Sequence, residues 1–295
     1  MDFTASLYGV IAALTLGSAD FLARFTTRRF GPLLAAVGML AVGASLAATV
    51  AVISGVAFPT TSRAISWTLA SGATSGGGMM LFYWALSRGQ VTYVIPIAAT
   101  YPIWSVGYGI LFQGLAIDGW VALAMAATLA GAWIIAAYGR LEDGIPNSES
   151  NHASLATRAM IALAAMLAGF FLVATVYLAA PAATESSDLG TLAVARATAL
   201  VIILTVLMVR GGGRRGDGRS AGFLALQGVL DAIGVLALIG AAQDADSAVA
   251  VVISSAFGMV TVLLAWVLLR ESVTRRQWLG IVLAMGGASA LTAMG

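Results

Sequence analysis

Three ionisable residues, Asp20, Arg196 and Asp231, sit within apolar runs of this sequence, where a charge has no water to stabilise it. Arg196 comes a little before the middle of one run, and Asp231 lies at the middle of the next. If those runs are antiparallel helices, the two depths differ by only about 5 Å at 1.5 Å per residue. An arginine–aspartate pair is then within reach and would neutralise both charges. Such a pair is either a structural clasp or a pair of contacts for the carboxylate and ammonium of a substrate, unless Asp231 takes a coupling proton. Asp20, in GSADFLARF with Arg24 four residues on, reads as half of a surface i, i+4 pair. Catalysis lacks its parts. There is no HExxH, no GxSxG and no cysteine, and the single histidine, His152, lies in a hydrophilic stretch. The sequence reads as a non-enzyme with no metal site and no cofactor.

A second set of candidates lies in GQVTYVIPIAATYPIWSVGYGILFQ, residues 89–113. Tyr101, Trp104 and Tyr108 are three and four apart and share a helical face. Pro96 and Pro102 remove backbone donors near the centre of the run, so the carbonyls of about residues 92 and 98 need other partners or a wet cavity. The spacing predicts a kinked helix lining a cavity, with Pro96 and Pro102 as hinge and Tyr101 and Trp104 as wall. Further back, ISWTLASGATSGGGMMLFYWALS carries Gly72 and Gly76 at the spacing of close helix contact. Gly77 is a candidate hinge there. Met80, Tyr83 and Trp84 share a face suited to varied apolar side chains. In the first run, Gly9, Ala13 and Gly17 repeat at four residues and read as packing.

The elements that must position these residues follow from composition. The chain is 60% hydrophobic and 9% charged, against about a quarter charged in soluble domains. Runs of about 20 apolar residues recur along it, each long enough to cross about 30 Å of hydrocarbon as a helix. Ten spans are expected, near 5–23, 32–54, 64–87, 91–112, 118–139, 156–179, 189–209, 220–241, 247–269 and 275–293. One long polar connection, RLEDGIPNSESNHAS, divides five spans from five. The expected organisation is a first repeat over 1–140, a linker over 141–155 and a second repeat over 156–295. A shift of 158 residues lays Trp120 over Trp278 and Gln113 over Glu271. Because five is odd, the halves must insert in opposite directions, a recurring plan of secondary transporters with the substrate site near the midplane. Spans 1, 3 and 4 and their mates 6, 8 and 9 are expected to line that site, with 5 and 10 peripheral or packing the halves together.

The basic residues are all arginine, and the net charge of +2 is too small to suggest a nucleic-acid partner. Arg24, Arg28, Arg29, Arg88, Arg140, Arg158, Arg210, Arg214, Arg215, Arg219, Arg270, Arg275 and Arg276 flank odd-numbered connections, and Arg63 alone flanks an even one. The positive-inside rule then puts both termini on the periplasmic side of an inner membrane.

The sequence resembles an EamA-type member of the drug/metabolite transporter superfamily, and within it the YddG-like bacterial amino-acid exporters. The resemblance is carried by LTLGSADF in the first span, YPIW with LFQGLAIDGW around the fourth, ARATA in the seventh, and LLRESVTRRQWLGIVLAMGG at the ninth-to-tenth turn. Leu16 stands where the family often has tryptophan, and Gln113 where it often has glutamate. The resemblance implies an all-α polytopic membrane protein of two inverted five-helix repeats around a central cavity. It also implies export of amino acids, or of another small metabolite or drug-like amphiphile, by alternating access. The expected partners are the small-molecule substrate and the lipid bilayer, with the oligomeric state left open and a monomer compatible.

Overall fold

Backbone amides in such long apolar runs must be satisfied within the run, and the helix is the local structure that does this. Residues 3–112, 118–138, 155–211, 218–242, 256–271 and 273–294 are described by the computed structural model, and every regular element among them is an α-helix. They are α1 (Phe3–Phe30), α2 (Pro32–Ile53), α3 (Ser62–Leu86), α4 (Val91–Ala98), α5 (Pro102–Phe112) and α6 (Gly119–Tyr138). The second half supplies α7 (Leu155–Glu185), α8 (Asp188–Arg210), α9 (Gly218–Ala242), α10 (Phe257–Leu268) and α11 (Arg275–Met294). Among the described residues, six stretches are long and apolar enough to cross a membrane: α1 from Leu7, α2, α4 joined to α5, α6, α7 and α8. Two shorter apolar segments lie in α9 and α10. Two expected ends move outward: α1 continues to Phe30, and α7 runs through Pro181 to Glu185. Gln113, His152, the start of the expected ninth span and residues 141–154 lie outside the described residues.

Local chemistry sets several helix starts. Thr61 and Ser187 each accept a hydrogen bond at 3.0 Å from the amide three residues on, and Asp118 does so at 2.8 Å. Gly31, at φ 85°, turns the chain from α1 into Pro32, the first residue of α2.

The packing between halves is two-fold in pattern. α3 lies along α7 and α1 along α9; α3 also meets α8, as α9 meets α2. α4 rests on α7 and α10 on α1, while α2 pairs with α8 and α6 with α11. Exchanging the halves maps α3 on α7 onto α9 on α1, α3 on α8 onto α9 on α2, and α10 on α1 onto α5 on α7, while the α2–α8 and α6–α11 pairs each map onto themselves. Glycines fix the register, since each lets a facing helix approach to backbone distance. A Cβ at Gly72 would overlap Thr198 and the Ala195 carbonyl on α8; one at Gly228 would overlap Val42 and the Met39 carbonyl on α2. Gly78 faces Phe171 on α7, and Gly234 faces Thr15 and Leu16 on α1. Gly131 faces Gly280 and Ala284, and Gly287 faces Ala124 and Thr128.

Each of these glycine pairs is separated by 156 residues, which corrects the shift of 158 taken from the tryptophans. Trp278 stacks edge-on against Trp266, a contact within its own half. The contacts that cross between halves depend on small residues, so they hold the register.

α6 and α11 pack the two halves together, one of the two roles expected of spans 5 and 10. Gly131→Ala places its methyl against α11 backbone, which cannot rotate away as a side chain can. It is expected to lower stability by about 1–3 kcal/mol, the range for overpacked sites. Gly107→Ala, with open space around the added carbon, is expected to be neutral or slightly stabilising. Thermal unfolding of the two purified variants in one detergent checks the contrast; equal midpoints would refute it.

Candidate functional site

The fourth span breaks where proline demands it. α4 continues through Pro96 and ends at Ala98, and α5 starts at Pro102. The carbonyl freed by Pro96, that of Thr92, accepts a hydrogen bond from the Gln277 side-chain amide at 3.2 Å. The carbonyl freed by Pro102, that of Ala98, takes the Tyr101 amide at 3.3 Å in a tightened turn. Gly169 on α7 has no Cβ where one would lie 2.9 Å from that same carbonyl. A proline-broken helix therefore crosses the interior with its backbone satisfied, as apolar surroundings require.

The start of α4 is capped from outside its own helix. The Glu271 carboxylate accepts the amides of Val91 at 3.3 Å and Thr92 at 3.0 Å, and the Thr92 hydroxyl at 2.8 Å. Arg24 of α1 pairs with it at 2.7 Å, and both residues are buried, 7% and 6% exposed. Arg270 makes this possible by taking φ 51°, a left-handed conformation rare outside glycine, which ends α10 and turns Glu271 inward. A carboxylate on amides at a helix N-terminus, opposed by a guanidinium, leaves neither charge stranded.

Between these elements lies a cavity of about 190 Å³. α3 lines it with Ser75, Gly78, Met79, Phe82 and Tyr83; the fourth span with Ile95, Ala98, Ala99 and Tyr101; and α7 with Ala168, Gly169, Leu172 and Thr175. Asp20, Met39, Asp231 and Phe257 complete the wall from α1, α2, α9 and α10. The lining thus comes from the six expected spans, with one residue added from α2. Tyr101 and Phe257 occupy equivalent repeat positions and stack on each other, ring centres 6.4 Å apart. The Tyr83 hydroxyl accepts from Gln227 at 2.6 Å, and Gln227 accepts from Thr26 at 2.7 Å. Toward the Glu271 end, Tyr83, Leu86, Val94 and Ile95 are each no more than 2% exposed, so the cavity is sealed on that side.

The expected ion pair forms. Arg196 donates through Nη1 to Asp231 Oδ2 at 2.6 Å, with both side chains mostly buried. Gly43 on α2 leaves the space that the guanidinium fills. Asp231 faces the cavity and Arg196 stands behind it. The surface pair expected of Asp20 and Arg24 does not form, because the Glu271 carboxylate takes Arg24, and Asp20 turns to the cavity.

Of the other sequence candidates, Tyr83 and Tyr101 face the cavity, whereas Met80, Trp84 and Trp104 are not part of its wall. About 100° of helical rotation per residue separates neighbours; Met79 and Phe82 take the inward positions, and Met80 packs partly buried against the core. Trp84 carries the Arg88 guanidinium 4.4 Å over its ring. Trp104 meets Phe170 edge-on, and Tyr108 stacks on Tyr177 at 3.9 Å, so the face of α5 packs on α7. Gly77 lies within an unbroken α3, near Phe171 at ordinary contact distance. Gly17 closes α1 onto Phe257 and Val260, in keeping with a packing role. Asp20, read from the sequence as half of a surface pair, lines the cavity instead, and Glu271 and Gln227 carried no site reading. Glu271 could have been found from an acid four residues before three further polar positions at a tight turn, LLRESVTRRQW, with no apolar neighbour to hide behind.

The EamA-like transporter family model matches residues 3–137 and again residues 159–293, the same displacement that the glycines give. The chain belongs to the EamA-like transporter family. A solved structure titled only "Crystal structure of protein" superposes with a TM-score of 0.66 at 16% identity, over 98% of this chain and 96% of that one. At that identity the likeness bears on the fold alone. No curated protein matches the chain. Membership makes this a membrane transporter of small substrates, built from two EamA repeats that share one cavity.

Arg196→Ala and Asp231→Ala each strand a largely buried charge and are each expected to cost about 3 kcal/mol of stability. The double substitution strands none, so its cost is expected to be well below the sum of the two. Unfolding of all three variants in detergent measures the coupling; strictly additive losses would show that the pair contributes nothing as a pair.

Proposed function

We propose that this transporter exports amino acids and related small amphiphiles across the inner membrane, by alternating access through ten spans in two inverted repeats. The observation that carries the reading is the cavity itself. It is lined from both repeats, walled by the broken fourth span and the start of α10, and closed at one end by buried side chains. Broken helices at the meeting point of repeats are where carriers of this plan hold substrate. Tyr83, Tyr101 and Asp231 would contact substrate, with Arg196 setting the position of Asp231. The break at 99–101 would be the hinge, flanked by Pro96 and Pro102. Saturable counterflow of labelled phenylalanine, leucine and threonine into preloaded proteoliposomes is expected. Linear flux without saturation or counterflow would make the protein a channel instead.

The orientation is part of the same proposal. Arginine remains concentrated at the end of the molecule that bears Arg88, Arg158, Arg210, Arg270 and Arg275, even though Arg24 is drawn into the interior. That end would face the cytoplasm, so the sealed side of the cavity would be cytoplasmic and both termini periplasmic. A reporter fused after Gly295 is expected to be active only in the periplasm; activity confined to the cytoplasm would reverse the assignment.

A further inference from the structure

The charges around the cavity do not balance. Asp231 is neutralised by Arg196, and Arg24, one turn beyond Asp20, is held by Glu271. Asp20 has no hydrogen-bond or ion-pair partner among the described residues, yet its carboxyl faces the cavity. Among the described residues, the titratable groups that face it are Asp231 from α9, with Arg196 of α8 behind, Tyr83 from α3 and Tyr101 from the broken span. α2, α7 and α10 contribute no titratable side chain to the wall. A carboxylate in such surroundings requires a counter-charge, and only a proton or an incoming cation can supply it. The rest of the wall suits an organic cation. Phe82, Tyr101 and Phe257 present aromatic rings, which attract ammonium groups through their faces. Among the described residues, the wall holds no cation free to receive a substrate carboxylate.

We propose that Asp20 anchors the protonated amine of the transported molecule, and that a proton occupies its carboxyl when the cavity is empty. This rests on the transporter reading and names the substrate class: an amine with an aromatic or apolar body, for which a carboxylate is dispensable. Binding then exchanges one for one. The amine nitrogen arrives as ammonium, the Asp20 O–H bond breaks, and the proton leaves to solvent, with no other bond changed.

Calorimetry on the purified full chain in detergent tests this with three probes of one shape: phenethylamine, phenylalanine and 3-phenylpropionate. Phenethylamine is expected to bind at least as tightly as phenylalanine and at least tenfold more tightly than 3-phenylpropionate. Repetition in buffers of different ionisation enthalpy is expected to show about one proton released per amine bound, with affinity rising from pH 5 to pH 8. Asp20→Asn, which removes no hydrogen bond seen here, is expected to keep the wild-type melting temperature. It should weaken phenethylamine binding at least tenfold and abolish proton release, while Asp20→Glu restores both in part. Equal binding of 3-phenylpropionate, no binding of any probe, or an Asn variant that binds and releases protons as wild type overturns the proposal. If the Asn variant fails to fold, the probe order and proton release of the wild type decide alone. Asp20-dependent binding without counterflow would uphold this inference and defeat the transporter reading; counterflow insensitive to Asp20 would do the reverse.

Discussion

The Glu271 carboxylate is the point on which the closed end of the molecule depends. It joins three helices that are far apart in sequence: α10, which delivers it, α4, whose first amides it accepts, and α1, whose Arg24 balances it. Removing that oxygen pair would leave two buried amides and a buried hydroxyl without their acceptor and would take the paired carboxylate from a buried guanidinium. Its neighbour Gln277 satisfies the Thr92 carbonyl that Pro96 leaves open. The proline-broken span is therefore held at its start by two side chains of the opposite half. Its middle is free of such ties, and there it faces the cavity.

Two-fold packing around a cavity with unlike charges is the second theme. The backbone obeys the symmetry closely enough for Gly72, Gly78 and Gly131 to have equivalents in Gly228, Gly234 and Gly287. The ionisable side chains do not follow it. Asp231 has Ser75 as its repeat equivalent, and Asp20 has Val176. Symmetry thus provides the shape shared by both repeats, and departures from it provide the chemistry.

Much of the fold was legible in the sequence because its cause is local. Long apolar runs must be helices, the Arg196 and Asp231 depths follow from the rise of a helix, and Pro96 and Pro102 disrupt hydrogen bonding wherever they fall. What was hidden depends on rotation and on distant partners. Met79 and Phe82 replace Met80 and Trp84 at the cavity because a small turn of α3, set by Gly72 and Gly78 against α8 and α7, decides which residues face inward. Arg24 looked like the natural partner of Asp20 at four residues, but a carboxylate from residue 271 competes for it, and no local pattern announces that. The register error had the same origin: tryptophans are conspicuous, whereas the contacts between halves are made where side chains are missing.

Those missing side chains bear on what kind of object each half is. α3 lies backbone-to-backbone against α7 and α8, and α9 lies likewise against α1 and α2. The close-packed clusters are thus assembled from both halves, and neither half buries its own small-residue faces. Each would expose, alone, the grooves that the other fills. The repeat is a unit of sequence and descent but not of folding, and the two halves are interlocked like clasped hands rather than joined by the connection between them.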